Sequence, residues 1–457
     1  MNSLDIIKEA RFALKSLTVY RNLLQDKVFE SLSCLLECFF TGSEALDPEK
    51  TLHYYCQLFN YLSTSDRFIS LKNYIIESII LNENPFSLQA EKREFSMIDS
   101  ALKEAAKSDL HCLEAISRLS SEHIKDYLLN CPTLNIFKNI INNLPSWNMS
   151  FESIKNAPAS YISEEDLYSL KEKLWNHDNW NLYLEQLCNF YNKWGCGIFS
   201  RYKAFIWEHS GTCGFLKGVE SPDPITLSDL IGYEEERQIV IENTLHFLRN
   251  YPANNILLYG DRGTGKSSTV KAILNEFFKM GLRVIEVPKK DLIDFPKIID
   301  LVEKRKHKFI FFVDDLAFED NEENYTALKA VLEGSLEIKP ANVLIYATSN
   351  RRHLIKEKFS DRAGLHSGIK EDEIRAGDTI QEKLSLSDRF GITVSFISPD
   401  KKKYLKIVEG IAVKRGLNVD TEYLHTEALK WELWYNGRSP RTARQFIDWL
   451  ESKLSEK

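Results

Sequence analysis

Residues 260–267 read GDRGTGKS, a complete G-x-x-x-x-G-K-[ST] pattern, and it leaves the surrounding chain little choice of fold. A short apolar run of strand type, Asn255–Tyr259 (NILLY), comes before it. A stretch with helical periodicity, Ser268–Met280 (STVKAILNEFFKM), comes after. Strand, glycine turn and helix form the context that separates a phosphate-cradling loop from a chance match. Gly260, Gly263 and Gly265 let backbone N–H groups turn inward with no Cβ in the way. The helix N-terminus adds a favourable dipole for an anion. Lys266 then reaches the terminal phosphates of a bound nucleotide, and the Ser267 hydroxyl completes a Mg²⁺ shell. Asp261, Arg262, Thr264 and Ser268 make up the rest of the cradle.

The chain around this loop alternates strands and helices. Strands are expected at Asn255–Tyr259, Arg283–Val287, Phe309–Val313, Val343–Ala347 and Ile392–Phe396, with helices between them, which implies a parallel sheet sandwiched by helices. After Pro399 the periodicity is helical again over Lys401–Arg415, Thr421–Tyr435 and Pro440–Leu454, a small C-terminal lid. Residues 1 to about 215 read as helical, in segments such as Ile6–Phe40, Glu49–Leu62, Phe95–Leu129 and Glu165–Phe205. The aromatics there (Trp175, Trp180, Tyr183, Phe190, Tyr191 and Trp194 among them) have the helical spacing of a core. Glycine and proline clustering at 210–214 and 221–224 marks a linker. The expected domains are an all-α region at 1–215, an α/β ATP-binding domain at 220–398 and a lid at 399–457.

Composition narrows the partners. A length of 457 residues suggests about three domains. The 66 acidic residues exceed the 59 basic ones, a net charge of −7, which argues against a surface built wholly for nucleic acid. No apolar run approaches the roughly 20 residues of a membrane span. The opening MNSLDIIKEARFALKSL is amphipathic and charged throughout, unlike a secretory signal. All eight cysteines lie at or before Cys213, with no C-x-x-C pair or zinc-ligand spacing, so a reduced, cytoplasmic setting is the simplest expectation.

Four further motifs fit the same chemistry. In FIFFVDD an apolar strand delivers Asp314 at its C-terminal end, where it holds Mg²⁺ alongside Ser267. Asp315 follows at the position of a base that orients the attacking water. VLIYATSN ends in Asn350, within reach of the γ-phosphate or that water, with Thr348 or Ser349 able to share the task. In SLSDRFG, Arg389 is a candidate to meet transition-state charge, in this or a neighbouring subunit. In GRSPR, Arg441 opens the last lid helix and can point at phosphate, with Arg438 as the fallback.

These elements, in this order, resemble the AAA+ superfamily: two phosphate-site motifs, a first sensor, an arginine finger and a second sensor on a helical lid. PANNILLYGDRGTGKSS, FFVDDLAFED, NVLIYATSNRRHL and EKLSLSDRFG together look like an uncharacterised bacterial AAA+ family with a helical N-terminal region, and the NENPFS stretch at 82–87 fits it. The resemblance implies ATP and Mg²⁺ binding, hydrolysis with Asp315, Asn350 and Arg389, and a homo-oligomer with the arginine finger acting in trans. It also implies that Leu230-Ile231-Gly232-Tyr233 lines the adenine pocket, through Ile231 and Gly232.

The resemblance names no substrate. Ring unfoldases carry an aromatic pore loop where this chain has Pro288–Asp294 (PKKDLID), which ranks a threading role low. The Asp-Asp pair is closer to replication initiators and loaders, yet no DNA-binding helix pair is appended, so a link to nucleic acid is unsupported. Two uses of ATP remain: a motor or remodeller, or an ATP-gated binding module in which turnover is a reset. In both, the N-terminal helices hold an unidentified protein partner. The charged stretch at 351–383 is expected to be a partly mobile segment that orders at a subunit or partner boundary.

Overall fold

A computed structural model describes residues 2–40, 47–64, 70–147, 164–317, 322–333, 340–350, 389–435 and 437–455. The charged 351–383 stretch lies outside them. Contacts divide the chain into two compact units, Met1–Tyr202 and Lys203–Lys457.

The first unit is helical, and its helices start where a side chain can take orphan backbone N–H groups. Asp26 accepts from Val28 and Phe29, and Ser70, Asp99 and Ser120 cap in the same way. Within NENPFS, Asn84 and Ser87 form a reciprocal capping box, with Pro85 in the first turn. Trp180, Phe190, Tyr191 and Trp194 are buried, as a core stripe requires. The Tyr191 hydroxyl donates to the Ile79 carbonyl at 2.6 Å, so its polar tip is satisfied as well.

The second unit is built on a seven-stranded sheet. Its strands are β1 (Ala204–Ser210), β2 (Cys213–Gly218), β3 (Ile256–Gly260), β4 (Leu282–Glu286), β5 (Lys308–Val313), β6 (Val343–Ser349) and β7 (Ile392–Phe396). The spatial order is β2-β1-β4-β5-β6-β3-β7, all parallel except the β1–β2 pair. Helices α1 (Glu234–Leu248), α2 (Lys266–Phe277), α3 (Phe295–Val302) and α4 (Glu322–Glu333) link the strands. The lid is α5 (Lys401–Lys414), α6 (Thr421–Trp434) and α7 (Pro440–Ser455). β6 is buried along its whole length and β5 at all but its first residue, the pattern of central parallel strands covered on both faces.

One expectation fails. Helix does not continue to residue 215: Ala204–Gly218 is a β-hairpin on the β4 edge of the sheet. Phe205 and Trp207 alternate with less buried neighbours along β1, and Gly211 turns the chain at φ +63°. The stretch taken for the start of a linker is therefore a two-residue hairpin loop. By contrast, Phe295 begins α3 and stacks on Phe311 with ring centroids 5.6 Å apart. It is buried in the core.

The lid shares its core with the sheet. Tyr404, Ile407, Phe446 and Leu450 belong to one buried cluster with Leu258, Val394 and Phe396. Tyr233, at φ +63°, stacks on Phe396 and donates its hydroxyl to the Ile397 carbonyl at 2.6 Å. Lys403 of α5 also lies over that ring, its Nζ 3.8 Å from the centroid.

Candidate nucleotide-binding site

Strand register assembles the site. β5 and β6 pair with Val313 opposite Ala347, so the next residues, Asp314 just past the end of β5 and Thr348 within β6, lie side by side. β3 and β6 pair with Tyr259 opposite Ser349, which brings Asn350 beside Gly260. A cleft of about 550 Å³ opens at this carboxyl edge, the edge at which open parallel sheets bind ligands. Its sheet side is lined by Lys266, Ser267 and Ser268 of the loop with Asp314, Asp315, Thr348 and Asn350. Arg262 and Gly263 complete the turn, and Leu230, Pro440, Arg441 and Arg444 close it from above.

Gly260 is at φ +135°, and a Cβ there would lie 2.1 Å from the Phe396 carbonyl oxygen, so only glycine fits against β7. Gly265, at φ +98°, opens α2. Asp261 points away from the cleft: its carboxylate accepts from the Ser398 N–H at 2.7 Å, and the hydrogen bonds from Ser398 hold it below the usual carboxylate range. Thr264 is buried and donates to the Asp261 carbonyl at 2.8 Å. Both residues shape the loop without lining the cavity.

A hydrogen-bond network ties the acidic pair to the loop. The Ser267 hydroxyl donates to Asp314 Oδ1 at 2.6 Å, and the Thr348 hydroxyl donates to the same oxygen. Asp315 sits at φ +51°, in left-handed backbone that non-glycine residues seldom adopt. Its N–H donates to Thr348 Oγ1 at 2.9 Å, which fixes that conformation. Asn350 bridges the two halves: its amide donates to Asp315 Oδ1 at 2.6 Å, and its Oδ1 accepts from Lys266 Nζ at 3.2 Å. Lys266 also donates to the Gly260 and Asp261 carbonyls at 2.8 and 2.7 Å. Burial pulls its ammonium below the usual lysine range, against the attraction of Asp261, Asp314 and Asp315. On the far side, Lys289 Nζ lies 3.9 Å from Asp315 Oδ2.

The lid is pinned over the loop by its first turn. The Arg441 N–H donates to the Gly263 carbonyl at 3.2 Å, and a Cβ on Gly263 would touch Ser439 and Arg441. The Arg441 side chain lines the cleft, whereas the fallback Arg438 is committed to Glu432 at 2.7 Å.

The profile of a family described as proteins of unknown function (DUF815) matches residues 200–454. The chain belongs to this family. Its glycine-loop and acidic-strand motifs and the β4-β5-β6-β3-β7 strand order are those of an AAA+ fold. Over 100 residues it is 33% identical to the replication factor C large subunit of Nanoarchaeum equitans (strain Kin4-M), covering 20% of this chain and 23% of that one. Among solved structures, two forms of Thermotoga maritima RuvB, one described as a Holliday junction branch migration motor, match with 15% and 16% identity and TM-scores of 0.36 and 0.34. Those matches cover 51% of this chain and 66% of theirs. The chain thus spans about a quarter of the replication factor subunit and just under two thirds of the RuvB chains.

Besides Gly260, Asp261 and Thr264 of the loop, three expected site residues are absent from the lining of the cleft. Ile231 and Gly232 pack on the lid, against Gly410 and Ile407; Ile231 lines a second cavity, and their neighbour Leu230 lines the cleft itself. The buried Arg237 sets that loop by donating to the Leu230 carbonyl at 2.8 Å and to the Gly232 carbonyl. Arg389 precedes β7, at the sheet edge opposite the phosphate loop. A five-residue strand rises about 13 Å from end to end, too far for Arg389 to reach a nucleotide in its own cleft. Sequence reasoning missed Arg444. No motif marks it, and its only cue is helical spacing, three residues after Arg441.

Proposed function

We propose that the second unit binds Mg-ATP in this cleft, hydrolyses it with an arginine from a neighbouring copy, and uses the cycle to switch a partner held by the N-terminal helices. One observation carries the reading: four cations, Lys266, Arg262, Arg441 and Arg444, and two carboxylates, Asp314 and Asp315, line a single cavity at a glycine-turn helix N-terminus.

The residues fit a hard divalent ion. Ser267 Oγ and Asp314 Oδ1 are already 2.6 Å apart, an all-oxygen pair suited to Mg²⁺. When bound, the ion neutralises charge on the β- and γ-oxygens. Lys266 exchanges its two loop carbonyls for phosphate oxygens, which frees Asn350 Oδ1 from its lysine contact. Asn350 keeps Asp315 aimed, and Asp315 takes the proton of the attacking water. Arg389, at the sheet edge opposite its own cleft, serves the cleft of the next subunit. Its guanidinium offsets charge that develops only in the transition state, a contribution worth about 10³-fold or more in rate.

A slower, gating use of the same site is favoured by the state of Asp315. One of its oxygens is held by Asn350 and the other faces Lys289. Both uses are tested by phosphate release measured against protein concentration. A motor working between subunits gives a rate per subunit that climbs with concentration and collapses in Arg389→Ala. A low, concentration-independent rate unchanged by that substitution overturns the shared-site reading and leaves the gate.

A further inference from the structure

Beside the cleft lies a second cavity of about 380 Å³. Ile225, Ile231 and Ile411 supply its apolar wall, and Asp229, Lys414 and Arg415 stand at its polar side. One residue lines both spaces: Arg444. It is exposed, and among the described residues no carboxylate is paired with it, unlike Arg415, which α7 holds through Asp448 and Glu451 at 2.7 and 2.6 Å.

Position along α7 gives Arg444 a place relative to a bound nucleotide. The helix start is fixed over the loop by the bond from the Arg441 N–H to the Gly263 carbonyl. Arg444 is three residues on, about 4.5 Å further along the axis and on nearly the same face. Arg441 therefore stands over the loop at Gly263, within the charged cleft that Lys266 also lines. Arg444 stands one turn away, where the charged cleft meets the cavity with the apolar wall. A nucleoside triphosphate has the same order: terminal phosphates, then α-phosphate and ribose, then a flat apolar base.

We propose that Arg444 binds the α-phosphate and ribose of the nucleotide, a task shared by ATP and ADP, while Arg441 answers to the terminal phosphate. Arg444 then sets how tightly any nucleotide is kept between the sheet and the lid, and so governs release after turnover. This rests on the nucleotide reading of the cleft. It adds a division of labour between two lid arginines one turn apart.

The test is calorimetric titration of the full chain with MgADP and with MgATP. Arg444→Ala is expected to weaken both by the same factor, about tenfold or more, since a charge-assisted contact to phosphate is lost in each. Arg444→Gln is expected to behave alike, and its melting temperature, unchanged for a surface residue, checks folding. Arg441→Ala is expected to weaken MgATP more than MgADP. Either Arg444 variant binding MgADP as tightly as the parent, or losing affinity for MgATP alone, overturns the assignment. A parent chain that binds neither nucleotide overturns the reading of the cleft itself, which is a separate failure.

Discussion

The two walls of the cleft are built differently. On the sheet wall nearly every polar group is already engaged: Lys266 makes three hydrogen bonds, Asp314 takes two hydroxyls, and Asp315 is held by Asn350 and by its own backbone. On the lid wall Arg441 and Arg444 stand exposed, with no carboxylate paired to either among the described residues. A wall wired before the ligand arrives loses little order on binding and keeps its geometry for chemistry. A wall of unpaired arginines gains contacts only when phosphate is present, so it is the side that can report nucleotide state.

The largest effect should come from the wired wall. Lys266→Ala removes the one buried ammonium of the loop and should weaken both MgATP and MgADP by at least about a hundredfold, since it costs charge-assisted bonds to phosphate. Titration checks this, and near-parental affinity would mean that phosphate does not sit on the loop. Next comes Asp315→Asn, which keeps the size of the side chain but cannot take a proton. Binding should hold while single-turnover hydrolysis falls by about 10²-fold or more. Undiminished hydrolysis would move the base elsewhere.

The smallest effect tests what holds the lid. Asp229, in the segment before α1, is ion-paired with Lys414 of α5, and that contact with the Thr226 hydrogen bonds holds its carboxyl well below the usual range. A depressed folded-state value means the tie stabilises the fold above the unfolded carboxylate value of about 3.9 and is lost as pH falls through the folded one. Asp229→Asn should therefore lower the melting temperature slightly at pH 7, by an amount that shrinks as pH falls below about 3.9. A difference that grows on acidification would contradict the assignment.

What the sequence disclosed and what it hid follow from how local each signal is. The phosphate loop is specified by residues next to one another, and β3 to β7 begin and end within two residues of where their apolar runs place them. Asp314 was legible because it terminates an apolar run. Thr348 was only an alternative, because its contact with Asp314 depends on the register of two strands 34 residues apart. The β1–β2 hairpin was hidden by aromatic density: Phe205 and Trp207 continue a helical stretch rich in the same residue types, and only the two-residue loop with Gly211 betrays the turn. Which of Leu230, Ile231 and Gly232 faces the cavity depends on Arg237 and Tyr233 fixing the loop, and spacing does not encode that. Arg389 was legible as a candidate finger, but only the sheet shows that it stands at the edge opposite its own cleft.

The most direct test of the account is equilibrium titration of the intact chain with ATP, with and without Mg²⁺. The account predicts saturable uptake of one nucleotide per chain, tighter with the metal and lost in Lys266→Ala. No saturable uptake by the folded protein, or uptake indifferent to Lys266, would contradict it.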